Sequence, residues 1–224
     1  MKNKGFTLVE ILVALALASL VMTAVYSTYM IQHKAYVVQD QVAAIQQNLR
    51  AAMYMMELDF RMAGYDPEGK ANSGLIVDTT DDDATDSDSI SFTYVAEDDG
   101  VTEDTVIYRL YDAYDDGDLD LGRELNGNLQ PMAEKIDALD FVYYDGSGTE
   151  IDIGAGDDVN DIRVIEVTMV ARAYRWDPDY TDNKAYTNGL GEIIYNVGDN
   201  GYDHEEDYRR RTLTKQIRGR NLGL

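Results

Sequence analysis

Residues 6–31 read FTLVEILVALALASLVMTAVYSTYMI, and one ionisable side chain, Glu10, interrupts an otherwise mainly apolar run. About 20 apolar residues in a helix span a bilayer, so the stretch is long enough to cross one. The five residues before it, Met1-Lys2-Asn3-Lys4-Gly5, are short and basic. Positive charge favours the cytoplasmic side, which predicts a cytoplasmic N-terminus and an exported remainder. A secretory signal would share the basic start, and Ala16-Leu17-Ala18 mimics its cleavage site. The apolar run continues well past Ala18, however, and Glu10 lies where a signal's apolar centre should be. A plain signal anchor explains the length but not the glutamate. An acidic side chain in a membrane segment costs roughly 2.5–3.5 kcal/mol on insertion scales and usually has a partner or a job. Cleavage after Gly5 would create a new α-amino group on Phe6, close to Glu10 and opposite in charge. A neighbouring subunit's amine could neutralise Glu10 in the same way and set the axial register between subunits. The plainer alternative is a glutamate that snorkels to the membrane edge or is protonated.

Gly5-Phe6-Thr7-Leu8-Val9-Glu10, followed by Ile11-Leu12-Val13-Ala14-Leu15-Ala16, resembles the class III signal of type IV prepilins and type II secretion pseudopilins. That resemblance implies cleavage between Gly5 and Phe6 by prepilin peptidase, N-methylation of Phe6, and a register role for Glu10. It also implies a single-pass protein of the inner (cytoplasmic) membrane with its C-terminal domain outside, held in membrane lipid before it joins a filament. Its implied partners are other minor and major pilins and an inner-membrane assembly platform. No proline precedes Pro67, so the mid-helix proline of many major pilins is missing, which leans toward a minor subunit. Arg61-Met62-Ala63-Gly64-Tyr65, the strand-like Asp140-Phe141-Val142-Tyr143-Tyr144 and Arg220-Asn221 are similar to the PilW family of minor pilins. That family implies a part in initiating pilus assembly or forming its tip. The J-type pseudopilin of type II secretion shares the architecture.

The helical pattern outlasts the membrane segment. Val38, Val42, Ile45, Leu49, Met53, Met56, Phe60 and Ala63 recur every three or four residues, with Gln39, Gln46, Gln47 and Arg50 on other faces. No Gly or Pro interrupts 6–63, and Gly64 is a plausible C-terminal stop. A helix of that length would be about 87 Å long. Met53, Met55 and Met56 are read as core rather than as a ligand groove. Beyond Gly64 the period changes to that of strands: Ile90, Phe92 and Tyr94 share one face, and Val106, Tyr108 and Leu110 another. Residues 136–144 and 162–174 alternate likewise, the latter with Ile165, Val167, Met169, Ala171 and Ala173 on one side, and 208–218 is a weaker candidate. The expected class is α+β, pilin-like: a long N-terminal helix, transmembrane in its first half, packed against an antiparallel sheet. Expected divisions are a leader over 1–5, a membrane or filament-core segment over 6–31, an amphipathic segment over 32–64 and a β-rich domain over 65–224.

Charge narrows the function classes. The 224 residues carry 42 Asp and Glu against 19 Lys and Arg, a net charge of −23. Such a surface repels phosphate backbones, which argues against nucleic acid and for divalent cations or basic partners. There is no cysteine, hence no disulfide or thiolate metal site, and the two histidines, His33 and His204, are far apart. No nucleophile–base pair is evident, so an enzyme is not expected. Acid concentrates in connections. Residues 78–88 hold six aspartates and read as a solvated loop. Asp116, Asp118 and Asp120 alternate as calcium-binding oxygen ligands do, and 157–161 is a second acidic turn. An EF-hand does not fit, because the glycine falls one place late and Gly127 stands where a carboxylate is needed. A noncanonical Ca2+ turn would make the domain a membrane-anchored calcium-dependent binding module or adhesin; a solvated hairpin tip is the plainer reading. Arg209, Arg210, Arg211, Lys215, Arg218 and Arg220 reverse the sign near the C-terminus, as local ion pairs or as an edge strand docking on an acidic neighbour.

Overall fold

The computed structural model describes residues 5–71, 73–76, 89–96, 102–153, 155–198, 201 and 204–222. The six-aspartate stretch 78–88 and the basic leader residues Lys2 and Lys4 lie outside the described residues. The chain divides into two compact units, 1–41 and 42–224. Helix α1 (Leu8–Phe60) contributes its first part to one and its remainder to the other.

In the first unit the helix has no protein core of its own. Its side chains from Leu8 to Ile31 are exposed, and it holds a window of mean hydropathy 2.5 that is long and apolar enough to cross a membrane. Its serine and threonine hydroxyls are satisfied internally. Ser19, Thr23, Ser27 and Thr28 donate to the carbonyls of Ala16, Ser19, Thr23 and Ala24 at 2.8–3.0 Å, as polar groups must where no water is available.

In the second unit the predicted apolar stripe becomes the core. Ile45, Leu49, Met53, Met56, Phe60 and Ala63 are buried, joined by Ala52. Val38 and Val42, where the stripe begins, are only half-buried. Of the methionines, Met53 and Met56 are core, while Met55 faces solvent. The helix gives way to turns at Arg61, and Gly64 adopts φ +73°, a left-handed conformation in which a side chain is strained. Its amide donates to the Thr93 carbonyl at 3.0 Å, so the helix exit is tied to a strand.

Ten strands follow among the described residues, and every pairing there is antiparallel. A five-stranded sheet runs in the order β1 (Leu75–Ile76), β2 (Ile90–Val95), β3 (Glu103–Tyr111), β4 (Asp120–Leu125), β5 (Asn128–Ala133). A three-stranded sheet has β7 (Val164–Arg172) between β6 (Ile136–Tyr144) and β10 (Arg210–Arg218). A small hairpin joins β8 (Ala185–Thr187) to β9 (Ile193–Asn196). The class is therefore α+β, a long helix packed on antiparallel sheets, though two larger sheets replace the single one expected.

Phe60 shows how the helix binds both sheets. Its ring meets those of Phe92 and Tyr108 on β2 and β3, and Phe141 on β6, edge to face at 5.4, 5.7 and 6.2 Å. Each such pair adds about 0.5–1.5 kcal/mol beyond area burial. Beside it Tyr108 Oη and Arg123 Nε both donate to Asp59 Oδ2 at 2.5 Å, clamping α1 to β3 and β4.

The expected alternation over 136–144 breaks at Asp137. Ile136 pairs with Ala171 and Ala138 with Val170, so Asp137 is the extra residue of a bulge. The bulge lets Ile136 share the core with Leu139 and Phe141. It also places Asp137 among arginines. Arg172 Nε (3.0 Å) and Arg210 Nε (2.6 Å) donate to its two oxygens, and all three side chains are buried. Arg210 further donates to the Glu205 carbonyl and the Tyr195 hydroxyl, both at 2.9 Å. The Tyr195 hydroxyl donates to the Glu205 carboxylate. Burial pushes that carboxyl up, but Tyr195, the Gly198 and Gly201 amides and the Arg210 charge outweigh it and hold it below its usual range. Tyr186 and Tyr195 pack with Ala138 and Val170 as a second small core, so the three-stranded sheet is covered on its second face there as well.

Candidate functional site

The features singled out in the sequence fall in three places. The first is the start of α1. Residues 5–7 precede the helix, Phe6 is 85% exposed, and a side chain built at Gly5 would touch nothing within 4 Å. The Gly5–Phe6 bond thus lies outside the helix. Thr7 caps the helix: the Glu10 amide donates to Thr7 Oγ1 at 3.3 Å. In return Glu10 Oε2 accepts from the Thr7 amide and hydroxyl, both at 2.8 Å. This reciprocal arrangement is a capping box. It satisfies the amides of Thr7 and Glu10 at the helix start and holds the carboxylate about one turn from the Gly5–Phe6 bond. Thr7 was not among the expected site residues. The signal was present in the spacing Thr-x-x-Glu ahead of an apolar run.

The second place is the β3–β4 connection. Asp112 accepts from the amides of Tyr114 (3.3 Å), Asp116 (3.1 Å) and Gly117 (2.9 Å), which hold its carboxyl below the usual range, the Gly117 bond most of all. The three candidate calcium ligands are brought near one another, but around a cation the chain already supplies. Lys135 Nζ donates to Asp116 (3.2 Å) and to Asp118, and Arg172 donates to the other Asp118 oxygen. Asp120 is buried and accepts from the amides of Lys135 (3.0 Å) and Ala113 (3.4 Å). Burial raises its carboxyl above the ordinary value. Two positive side chains and two main-chain donors use the oxygens that a calcium ion would need, so these residues do not fit a Ca2+ turn. In 157–161, Asp157 accepts from the Asp152 amide and Asp158 from that of Asn160, so these acids stabilise turns. No group of three or more His, Asp or Glu side chains is arranged to hold a metal among the described residues.

The third is the basic end. It does form an edge strand, β10, but its cations are not equivalent. Arg210 is buried in the Asp137 cluster and takes no part in a surface. Arg209 pairs with Asp177 at 2.7 Å and stacks on Tyr180, and Lys215 pairs with Glu57 of α1 at 2.6 Å. Arg211, Arg218 and Arg220 have no acidic partner among the described residues.

Comparison with known proteins bears on the first of these places. A solved type IV-like pilin from Thermus thermophilus is similar over 80% of this chain and 97% of its own, at 12% identity and a TM-score of 0.46. No curated protein matches the chain. Residues 1–26 match the prokaryotic N-terminal methylation motif, so the chain carries a prepilin-type signal that runs into the first part of α1, a helix apolar enough for a membrane.

Proposed function

We propose that the chain is a pilin-like subunit, anchored in the cytoplasmic membrane by α1, cut between Gly5 and Phe6, N-methylated on Phe6 and then drawn into a filament. The observation carrying this reading is that the methylation motif spans the non-helical Gly5–Phe6 bond and the capping box behind it. Prepilin peptidase would free the Phe6 amine. Glu10 in lipid is costly, and an amine from its own chain or a neighbour offsets that cost only when the two helices are in register. The subunit's role is structural and not enzymatic. A minor subunit of the PilW type, initiating assembly or forming the tip with other pilins, accords with an α1 free of proline and a strongly acidic second unit. Mass spectrometry of the protein from membranes tests the core of the proposal. A mature start at N-methyl-Phe6 is expected; an intact Met1 or a start at Ser19 would overturn it. Deletion of the gene tests the finer part. Fewer pili are expected, whereas normal pili with impaired protein secretion would reassign the subunit to a pseudopilus.

A further inference from the structure

The outer edge of β10 is an open hydrogen-bonding ladder. Its direction follows from two bonds that extend the β7–β10 pairing. The Ala173 amide donates to the Arg209 carbonyl at 2.8 Å, and the Gly219 amide to the Arg163 carbonyl at 3.1 Å. In an antiparallel pair, residues alternate between those that exchange main-chain bonds with the partner and those whose groups point away. With Arg209 and Gly219 both facing β7, so do 211, 213, 215 and 217. The N–H and C=O groups of Thr212, Thr214, Gln216 and Arg218 therefore point outward. The Arg210 carbonyl, next in that outward series, is taken by Arg211 Nη1 at 2.8 Å. Those of the following four residues have no partner among the described residues.

The other sheet edges are closed or short. β5 carries Pro131, which lacks a donor, and a bulge opposite Leu121 and Gly122. β1 is two residues long. β6 is partly covered, because its Tyr143 carbonyl accepts from the Ile151 amide at 2.8 Å and Tyr144 bridges to Glu150. Only β10, among the described residues, offers a long unblocked edge. It is flanked by Arg211, Arg218 and Arg220, three cations without an acidic partner among the described residues, on a chain of net charge −23. Basic side chains on an edge deter indiscriminate pairing. They also make the edge selective for an acidic strand and hostile to a second copy of β10.

We infer that the 212–218 edge of β10 receives an acidic extended strand from a different subunit of the filament, continuing the three-stranded sheet across the subunit boundary. This rests on the filament reading above and specifies its contact. The strand supplies outward-facing main-chain bonds in antiparallel or parallel register, and its carboxylates meet Arg218 and its neighbours. The acidic character identifies the partner's strand chemically, while the ladder fixes its conformation.

A photo-crosslinking amino acid placed at Gln216 in the full-length protein, in living cells, tests this. The expected adduct joins position 216 to an Asp- or Glu-rich strand of another protein bearing a methylation motif, mapped by peptide mass spectrometry. Thr214→Pro removes an outward N–H while sparing every main-chain bond to β7, losing only the hydroxyl contact with Thr168 at 3.1 Å, and should cut the adduct about tenfold, the effect of roughly one to one and a half lost hydrogen bonds. Arg218→Glu should cut it as well, with the thermal unfolding midpoint of both variants near that of the parent. An adduct to a copy of the same chain, to a loop or helix, or no adduct would overturn the inference. So would adduct yields insensitive to both substitutions. Phe6 methylation is read on the same sample. An unprocessed N-terminus refutes the filament reading separately, and a methylated one with no adduct refutes only the contact.

Discussion

Arg210→Met is the most demanding perturbation of this fold, because it removes one charge from a buried cluster and leaves the others. Arg210 is 2% exposed, and its guanidinium serves Asp137 at 2.6 Å and two further oxygens at 2.9 Å. Asp182 Oδ2 and Glu205 Oε1 stand at 3.6 and 3.9 Å. Without the arginine, Asp137 keeps Arg172, Asp182 keeps the Tyr186 hydroxyl and Glu205 keeps that of Tyr195. Three buried carboxylates would then share less positive charge. Breaking a buried pair by removing one partner costs about 3–5 kcal/mol. At about 2–4 °C per kcal/mol for a unit of this size, the unfolding midpoint should fall by roughly 6–20 °C. Trp176, the single tryptophan, stacks on His204 at 4.5 Å beside the turn that carries Glu205, so its fluorescence reports the site while circular dichroism reports the sheets. Arg209→Met is the control. Its pair with Asp177 is partly exposed and should be worth about 1 kcal/mol or less. A shift below about 2 °C for Arg210→Met, or equal shifts for the two neighbours, would refute the argument that burial makes the difference.

Three further outcomes follow from other contacts. Glu57 has its carboxyl lowered chiefly by the Lys215 hydrogen bond, so its contribution is present above the unfolded value near 4.3 and lost as pH falls through the folded one. Comparing Glu57→Gln with the parent across pH should show a gap of about 0.5–1 kcal/mol at pH 7 that closes in acid; a gap that widens would contradict the sign. Gly64→Ala forces a side chain into φ +73° with its Cβ 2.9 Å from the Asn221 carbonyl oxygen, and should cost about 1–3 kcal/mol in thermal unfolding. A neutral effect would show that the helix exit relaxes freely. Calorimetric titration of calcium into the full-length protein should reveal no saturable heat that Asp116→Asn abolishes, since Lys135 already occupies that acidic turn. Such heat, if found, would restore a metal role.

The helix stripe, the strands over 90–94, 106–110 and 136–144, and the prepilin signal were legible because each depends on local periodicity or on contiguous residues. Asn126-Gly127 was equally local. With φ 52° and 82° it makes the two-residue turn joining β4 to β5, and an Asn-Gly pair between two alternating runs is itself a hairpin signal. What local pattern could not carry was the second face of the three-stranded sheet. Glu166, Thr168 and Arg172 on β7 alternate with apolar residues as wet side chains would, yet they are buried. Covering by neighbouring elements, and an arginine 73 residues from its aspartate, decide that burial. The same cause explains Arg210: within a basic run every arginine looks like surface, and only the bulge at Asp137 tells one of them apart.

The β7–β10 pairing also has a consequence in time. Strand β7 cannot obtain its second neighbour, nor Asp137 its second arginine, until residues 210–218 arrive, and the Asn221 side chain closes back on the Arg61 carbonyl across 160 positions. Contacts between such distant positions form late, because long loops must close first. In the membrane-anchored reading proposed above, a nascent chain threaded outward through the membrane would expose β6 and β7 as an unfinished sheet until these residues emerged. The interval between the delivery of α1 and the arrival of β10 is therefore when the protein is most vulnerable to proteases and to mispairing, and when a chaperone on the far side of the membrane would matter most.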